Sequence, residues 1–405
     1  MPPHSAALAT SPARAWSIFW IFLKLGLTSF GGPIAHLGYY RDEFVLRRQW
    51  LDEARYGDLV ALCQFLPGPA SSQVGFALGV LRGGGLAGGL AAWIGFTLPS
   101  ALLMFAFALG AASLAGLGAA GVVHGLKLVA VAVVGQAVWG MARTLTPDRR
   151  RIAIALGAIA ILFLVDGPAG PLAAIAIGAL AGYRLCRGPV AQTGGELAMP
   201  VSRRAGWAAL ALFALLLLAL PLLAGLTGYR PLALFDAFYR SGALVFGGGH
   251  VVLPLLQAET VATGWVSGET FLAGYGLAQA LPGPLFAFAA FLGAQAGMTA
   301  GALAGATLAL LALFLPGLLL VYGALPFWDG VRRHAAARHA MMGANAAVVG
   351  ILAAALYHPV WTGAVFDIRD ACIALGGFML LTVWKAPSWV VVILLVAAGA
   401  LLARA

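Results

Sequence analysis

Gln64-Phe65-Leu66-Pro67-Gly68-Pro69 returns as Gln279-Ala280-Leu281-Pro282-Gly283-Pro284, each time inside an otherwise apolar run. Matches continue on both sides. Lys24-Leu25-Gly26 followed by Phe30-Gly31-Gly32 answers Arg240-Ser241-Gly242 followed by Phe246-Gly247-Gly248, and Trp50 answers Trp265. Downstream, Phe96-Thr97-Leu98-Pro99 answers Leu313-Phe314-Leu315-Pro316, and Val134-Gly135 answers Val349-Gly350. The offset stays between 214 and 217, which marks an internal duplication. The repeats cover residues 15–204 and 229–405, and a further apolar segment within 205–228 joins them.

The composition fixes the solvent. Of 405 residues, 62% are hydrophobic and 9% charged, against about 25% charged in soluble domains. Mean hydropathy is +0.95. At about 20 residues per crossing, there is room for ten or more spans, which excludes a single-pass receptor or an anchored enzyme. Continuous runs such as Trp207 to Leu226 are not the alternation of a transmembrane barrel. The expected fold is all-α and polytopic, in a lipid bilayer. Its net charge of +10 lies between apolar runs, as loop charges that set orientation do, and does not indicate nucleic acid. Cys63, Cys186 and Cys372 are dispersed and define neither a disulfide framework nor a metal site. The segment Trp16 to Phe30 lacks a small-residue cleavage site and reads as retained.

Charge placement predicts opposite orientations for the halves. Arg143, Arg149, Arg150 and Arg151 precede the last two spans of the first half, and Arg184, Arg187, Arg203 and Arg204 follow them. The turn between, Asp166 to Pro171, has no basic residue. In the second half the equivalent of the first cluster, His358 to Asp370, is net acidic, the short turn carries Lys385, and Arg332, Arg333 and Arg338 replace the uncharged Ser113 to Val123. The positive-inside rule then gives an inverted repeat, the architecture of secondary transporters. Arg41, Arg47, Arg48 and Arg55 suit a cytoplasmic loop, whereas Val251 to Thr270 has no basic residue. Helical hairpins entering and leaving on one side, broken at Gly31-Gly32-Pro33 and Pro67-Gly68-Pro69, reconcile these loops; full crossings by kinked helices are the rival arrangement.

A Pro-Gly-Pro within an apolar run removes backbone donors and opens unusual backbone geometry. In hydrocarbon such a break persists only where it is buried in protein or lines a wet cavity. The helix that resumes presents free N–H groups and a positive dipole end, suited to an anion. Ser71 and Ser72 follow the first break and add hydroxyls, while Gln64 and Gln279 precede each break by one helical turn and are expected to orient a ligand or brace the backbone. A tight packing kink would explain one such break; two at equivalent positions favour a site, together with Gly31-Gly32 and Gly247-Gly248.

Ionisable residues inside the membrane are costly, about 2.5–3.5 kcal/mol each on insertion scales. Lys24 and Arg240 stand at equivalent positions and are expected to supply positive charge to a multivalent anion, with snorkelling to the interface as the plainer account. Lys127 is read as lying near a helix end, outside the site, and Arg82 as an orientation signal. Asp58, Glu259 and His250 are candidates for ion coupling, with His36 and His124 behind them. Gly84-x-x-x-Gly88 and Gly301-x-x-x-Gly305 are expected to allow close helix packing. No GxxxxGK[ST], HExxH or GxSxG occurs, so neither an ATPase site nor a familiar catalytic constellation is expected, nor a cofactor.

Taken together, Phe30-Gly31-Gly32-Pro33-x-x-His36, Arg47-x-x-Trp50-Leu51, Gln64 to Pro69, Phe246 to Gly249 and Gln279 to Pro284 resemble the chromate ion transporter family in its long, two-domain form. The resemblance implies export of chromate across a bacterial inner membrane, driven by the membrane potential or proton gradient, and chromate resistance. A passive oxyanion channel or a sulfate transporter on the same scaffold stays open, because sulfate has the same charge and shape. The partners expected are chromate, or sulfate, and lipid; a homodimer is allowed for. Gly249 replaces Pro33 in the second half and the basic loop is missing there, which suggests unequal roles for the halves.

Overall fold

The computed structural model describes residues 12–111, 119–165, 169–186, 200–246, 249–328 and 334–402. These form seventeen α-helices and no strand. The first half contributes α1 (Pro12–Thr28), α2 (Gly32–Arg41), α3 (Glu53–Phe65), α4 (Ala70–Gly83), α5 (Leu86–Ala111), α6 (Ala119–Leu145), α7 (Arg149–Leu164) and α8 (Ala169–Leu185). After α9 (Arg203–Thr227), the second half repeats the order with α10 (Arg230–Ala243), α11 (Val252–Thr260), α12 (Gly268–Ala278), α13 (Phe288–Gln295), α14 (Ala302–Ala324), α15 (Ala335–Ala355), α16 (Ile368–Thr382) and α17 (Ser388–Leu402).

The helices fall into two length classes. Five segments, within 86–110, 120–145, 203–227, 302–327 and 335–361, are long and apolar enough to span a bilayer. The arms around the breaks are shorter: α2, α3 and α4 have 10, 13 and 14 residues, and α11, α12 and α13 have 9, 11 and 8. At 1.5 Å per residue these reach only about 12–21 Å, well short of the ~30 Å hydrocarbon core. Such arms gain stability from burial against the long helices. Phe22, Tyr40, Phe44 and Phe96 pack ring to ring in the first half.

Contacts within the front of each half repeat. α5 packs on α1 and α4, as α14 packs on α10 and α13. Gly26 makes the first of these seams possible: a Cβ there would lie 2.5 Å from the Phe96 carbonyl oxygen, and its counterpart Gly242 meets the carbonyl of Leu313. Of the two expected packing pairs, Gly88 and Gly305 do lie in helix contacts, against Gly79 and Gly293. Gly84 and Gly301 are turn residues with φ of 73° and 92° instead.

The backs of the halves are exchanged. α7 and α8 pack along α15 of the second half, and α16 and α17 pack along α6 of the first. Small residues form both seams: Gly178 and Gly182 face Gly343 and Ala347, while Gly125 faces Leu395 and Val396. Reciprocal exchange of equivalent elements is the signature of a two-fold relation between the halves. α9 joins them from outside the exchange, packing on α10 and α14 with only 11% of its apolar window buried.

Candidate functional site

Both halves bring their breaks to the two-fold, and each break is bonded to the other half. The Gly68 amide of the first Pro-Gly-Pro donates to the Val245 carbonyl at 2.7 Å, and the Gly283 amide of the second donates to the Ser29 carbonyl at 2.9 Å. Ser29 and Val245 are themselves equivalent positions, each one residue before a Phe-Gly-Gly. Thus each Pro-Gly-Pro closes onto the frayed end of the other half's first helix, satisfying one of that end's free carbonyls. The backing is reciprocal as well: Gly68 lies against Gly317 of α14, and Gly283 against Ser100 of α5, its counterpart. Gly249 meets Pro33, the equivalent residue, so the axis passes between them. Gly31 and Gly32 have φ of 99° and 76° and carry the turn into α2. Gly247 and Gly248 lie outside the described residues.

The N-termini at these breaks are open. α2 begins after Gly31, α4 after Pro69, and the short 3-10 turn leading into α13 after Pro284, none with a side-chain cap. Around α4 the first half is polar. Ser71 and Ser72 are buried in its first turn, and Ser71 Oγ is 3.4 Å from His36 Nδ1. Gln73, fully buried, donates Nε2 to the Pro67 carbonyl at 2.9 Å and the Gly317 carbonyl at 3.0 Å. It therefore braces the first Pro-Gly-Pro against the second half.

Several expectations change here. Gln64 is exposed, and the bracing amide is Gln73, which sits on the far side of the break and has no counterpart amide in the second half (Phe288). Gln279 reaches the site region, where its buried Nε2 lies beside the Tyr275 hydroxyl without a hydrogen bond; that hydroxyl is 2.7 Å from His250 Nδ1. Lys24 and Arg240 are not a matched pair of open cations. Lys24 is exposed on α1. Arg240 is inside and already saturated: Nε contacts both Asp236 oxygens at 3.0 and 3.1 Å, and Nη1 and Nη2 reach Glu259 at 2.6 and 3.1 Å. A further contact joins Nη2 to Asp236 at 2.9 Å. One cation faces two carboxyl groups, one more than its single charge can balance. A cavity of about 10 Å³, room for about one water, adjoins Arg240 and Glu259 under Pro171 and Leu172 of α8.

Asp236 escaped the sequence reading, although its spacing four residues before Arg240 on one helix face was the available signal. Lys127 is not at a helix end but well inside α6. It is 5% exposed, pairs with Glu269 of α12 at 2.9 Å and lies over the Phe366 ring. Beside it His124 bonds Asp370 of α16 at 2.6 Å, so α6 is tied to two second-half helices. Asp58 is buried in α3, away from Arg240 in sequence and element. Arg82 lies over the Trp50 ring. In the polar turn after α2, burial pushes the Glu43 carboxyl up, and Arg47 and Arg48 outweigh it, holding it below the usual carboxylate range.

The arrangement is that of a polytopic membrane protein of two intertwined halves with paired, uncapped helix breaks at their axis. The chain belongs to the chromate transporter family, whose pattern matches residues 16–183 and 232–402. It is 32% identical to a chromate transport protein of Pseudomonas aeruginosa over 75% of this chain and 73% of the relative. Identity to a chromate transport protein of Cupriavidus metallidurans is 26%, over 95% and 93% of the two chains. An uncharacterised transporter of Methanocaldococcus jannaschii is 25% identical over 84% and 83%. No solved structure matches the chain.

Proposed function

We propose that this protein is a secondary transporter that exports chromate across the bacterial inner membrane, using the proton gradient or membrane potential, and so confers chromate resistance. The observation that carries this reading is the reciprocal closure of the two Pro-Gly-Pro breaks, Gly68 to Val245 and Gly283 to Ser29. It brings uncapped helix N-termini from both halves to one axis. Chromate is a tetrahedral dianion with four acceptor oxygens, and free N–H groups and buried hydroxyls are its natural partners. Sulfate satisfies the same donors, so the site separates the two only weakly.

The halves are inverted relative to each other, as the exchange of basic loops supports, and the short arms are re-entrant hairpins rather than crossings. Rocking of one half against the other alternates access; the bonds at Gly68 and Gly283 are the contacts such a motion has to rearrange. Coupling falls to Glu259 and its neighbour Asp236. They hold one charge more than Arg240 balances, and a proton taken up there makes the cluster neutral.

Chromate uptake into everted vesicles tests the reading. Uptake that requires an imposed proton gradient supports a coupled exporter. Flux that follows the electrochemical gradient of the anion alone, with no response to protons at fixed potential, would make the protein an oxyanion channel.

A further inference from the structure

The two halves share a fold at the axis but not its chemistry. Ser29, His36, Ser72 and Thr97 are all at least 97% buried, and Ser29 Oγ, His36 Nε2, Ser72 Oγ and Thr97 Oγ1 have no hydrogen-bond partner among the described residues. Their equivalents in the second half are Val245, Val252, Ala287 and Phe314, equally buried and incapable of any side-chain hydrogen bond. The positions follow from the anchors on either side: Phe30 with Phe246, Pro67 with Pro282, and Phe96 with Leu313.

A buried unpaired hydroxyl or imidazole nitrogen costs about 1–3 kcal/mol, and native structures carry few of them. Four in one half, each replaced by an apolar residue in the other, are not a requirement of the shared fold, since the second half makes the same breaks without them. The elements that carry them adjoin. His36 contacts Ser71, the neighbour of Ser72, in the first turn of α4. The His36 ring lies against the Ser29 backbone and packs on Phe96, the neighbour of Thr97. The Ser29 carbonyl holds Gly283, and Ser100 Oγ, beside Gly283, donates to the Thr97 carbonyl.

We infer that the transported oxyanion is held chiefly by first-half side chains, with Ser29, His36, Ser72 and Thr97 donating to it beside the open N-terminus of α4, while the second half supplies the backing surface, Gly283 and the single unbonded amide of Gln279. The inference rests on the transport reading for its ligand class and refines it by assigning an asymmetric site. No fixed cation takes part: Lys24 is exposed and Arg240 is committed to carboxylates. The ligand is a tetrahedral oxyanion recognised by neutral donors, chromate or sulfate alike.

The test measures equilibrium binding of chromate and of sulfate to the purified full chain by dialysis, alongside thermal unfolding without anion. Ser72→Ala and Thr97→Val remove orphan hydroxyls at nearly constant shape. Each should weaken binding about tenfold or more, the loss of one hydrogen bond to a charged group. Neither should lower the melting temperature of the anion-free protein, because no bond is lost there. Thr146→Val is the control: its buried hydroxyl donates to the Ala142 carbonyl at 2.7 Å, so it should lose stability and keep affinity. Unchanged affinity in both site variants, or no binding by the unaltered protein, overturns the inference. Tight, variant-sensitive binding without flux into vesicles would instead uphold the site and overturn the transport reading.

Discussion

Replacing Arg240 by Gln removes a guanidinium that binds two buried carboxylates. In the native chain its guanidinium serves Asp236 and Glu259, whose side chains are 7% and 10% exposed. Gln cannot match five donors, and both carboxylates would be left buried side by side without a counter-charge. Breaking a buried pair by removing one partner costs about 3–5 kcal/mol, a large share of the ~5–15 kcal/mol by which proteins are stable. Asp236→Asn is milder: it leaves Arg240 facing Glu259 in a balanced pair, and should cost about 1–3 kcal/mol as the charge-assisted contacts from Arg240 Nε and Nη2 are weakened or lost. The triple change Asp236→Asn, Arg240→Gln, Glu259→Gln should recover most of the single-variant loss, since no buried charge remains. Chemical denaturation in detergent micelles reads all three, as a double-mutant comparison of contacting residues. On the coupling proposal the triple variant also loses its response to a proton gradient. Equal stability of Arg240→Gln and the native chain would show that Arg240 does not neutralise the buried acids, as would a triple variant no better than the single one.

Other outcomes follow from the same geometry. Gly68→Ala should be more damaging than Gly283→Ala: both have positive φ, at 122° and 94°, but the new methyl meets the Gly317 backbone at 3.0 Å in the first case and the Ser100 side chain at 2.9 Å in the second. Transport and expression of the two variants measure the difference. Gln73→Ala leaves the Pro67 and Gly317 carbonyls without their donor and should cost about 1–3 kcal/mol, whereas Gln64→Ala should be silent in both stability and transport. Because α7 and α8 pack on α15, and α16 and α17 on α6, residues 1–204 expressed alone should be degraded, and co-expression with 205–405 should rescue them; a stable, well-packed first half alone would contradict the exchange. The Glu43 carboxyl is held low by Arg47 and Arg48, so its contribution is complete above its unfolded value near 4.5 and fades as pH falls through the lower folded value. Glu43→Gln should remove that part of the acid sensitivity in a pH series of melting temperatures.

The duplication was legible because Pro-Gly-Pro and Phe-Gly-Gly are local signals, each forced by backbone chemistry. So was the all-helical class, since hydropathy reports the solvent directly. The exchange of α7–α8 with α16–α17 was not: its seams are built from glycines and alanines that read the same whichever helix they face. Charge was the other blind spot. Lys24 and Arg240 align, yet one is exposed and the other is held by two carboxylates, Asp236 and Glu259, that the repeat pattern did not mark. Gln64 recurs in the second half as Gln279, while the bracing residue, Gln73, does not recur. Repetition reports the common scaffold; the chemistry that distinguishes the halves lies where repetition fails.

On this proposal the paired breaks form an oxyanion path through the membrane. The most direct measurement is radiolabelled chromate uptake by everted membrane vesicles, comparing the native chain with Gly68→Ala and with vesicles lacking the protein. Gradient-dependent uptake by the native chain, competition by excess sulfate, and loss of uptake in Gly68→Ala with the protein still inserted are the expected results. Uptake no greater than in the empty vesicles, or undiminished in Gly68→Ala, would contradict the proposal.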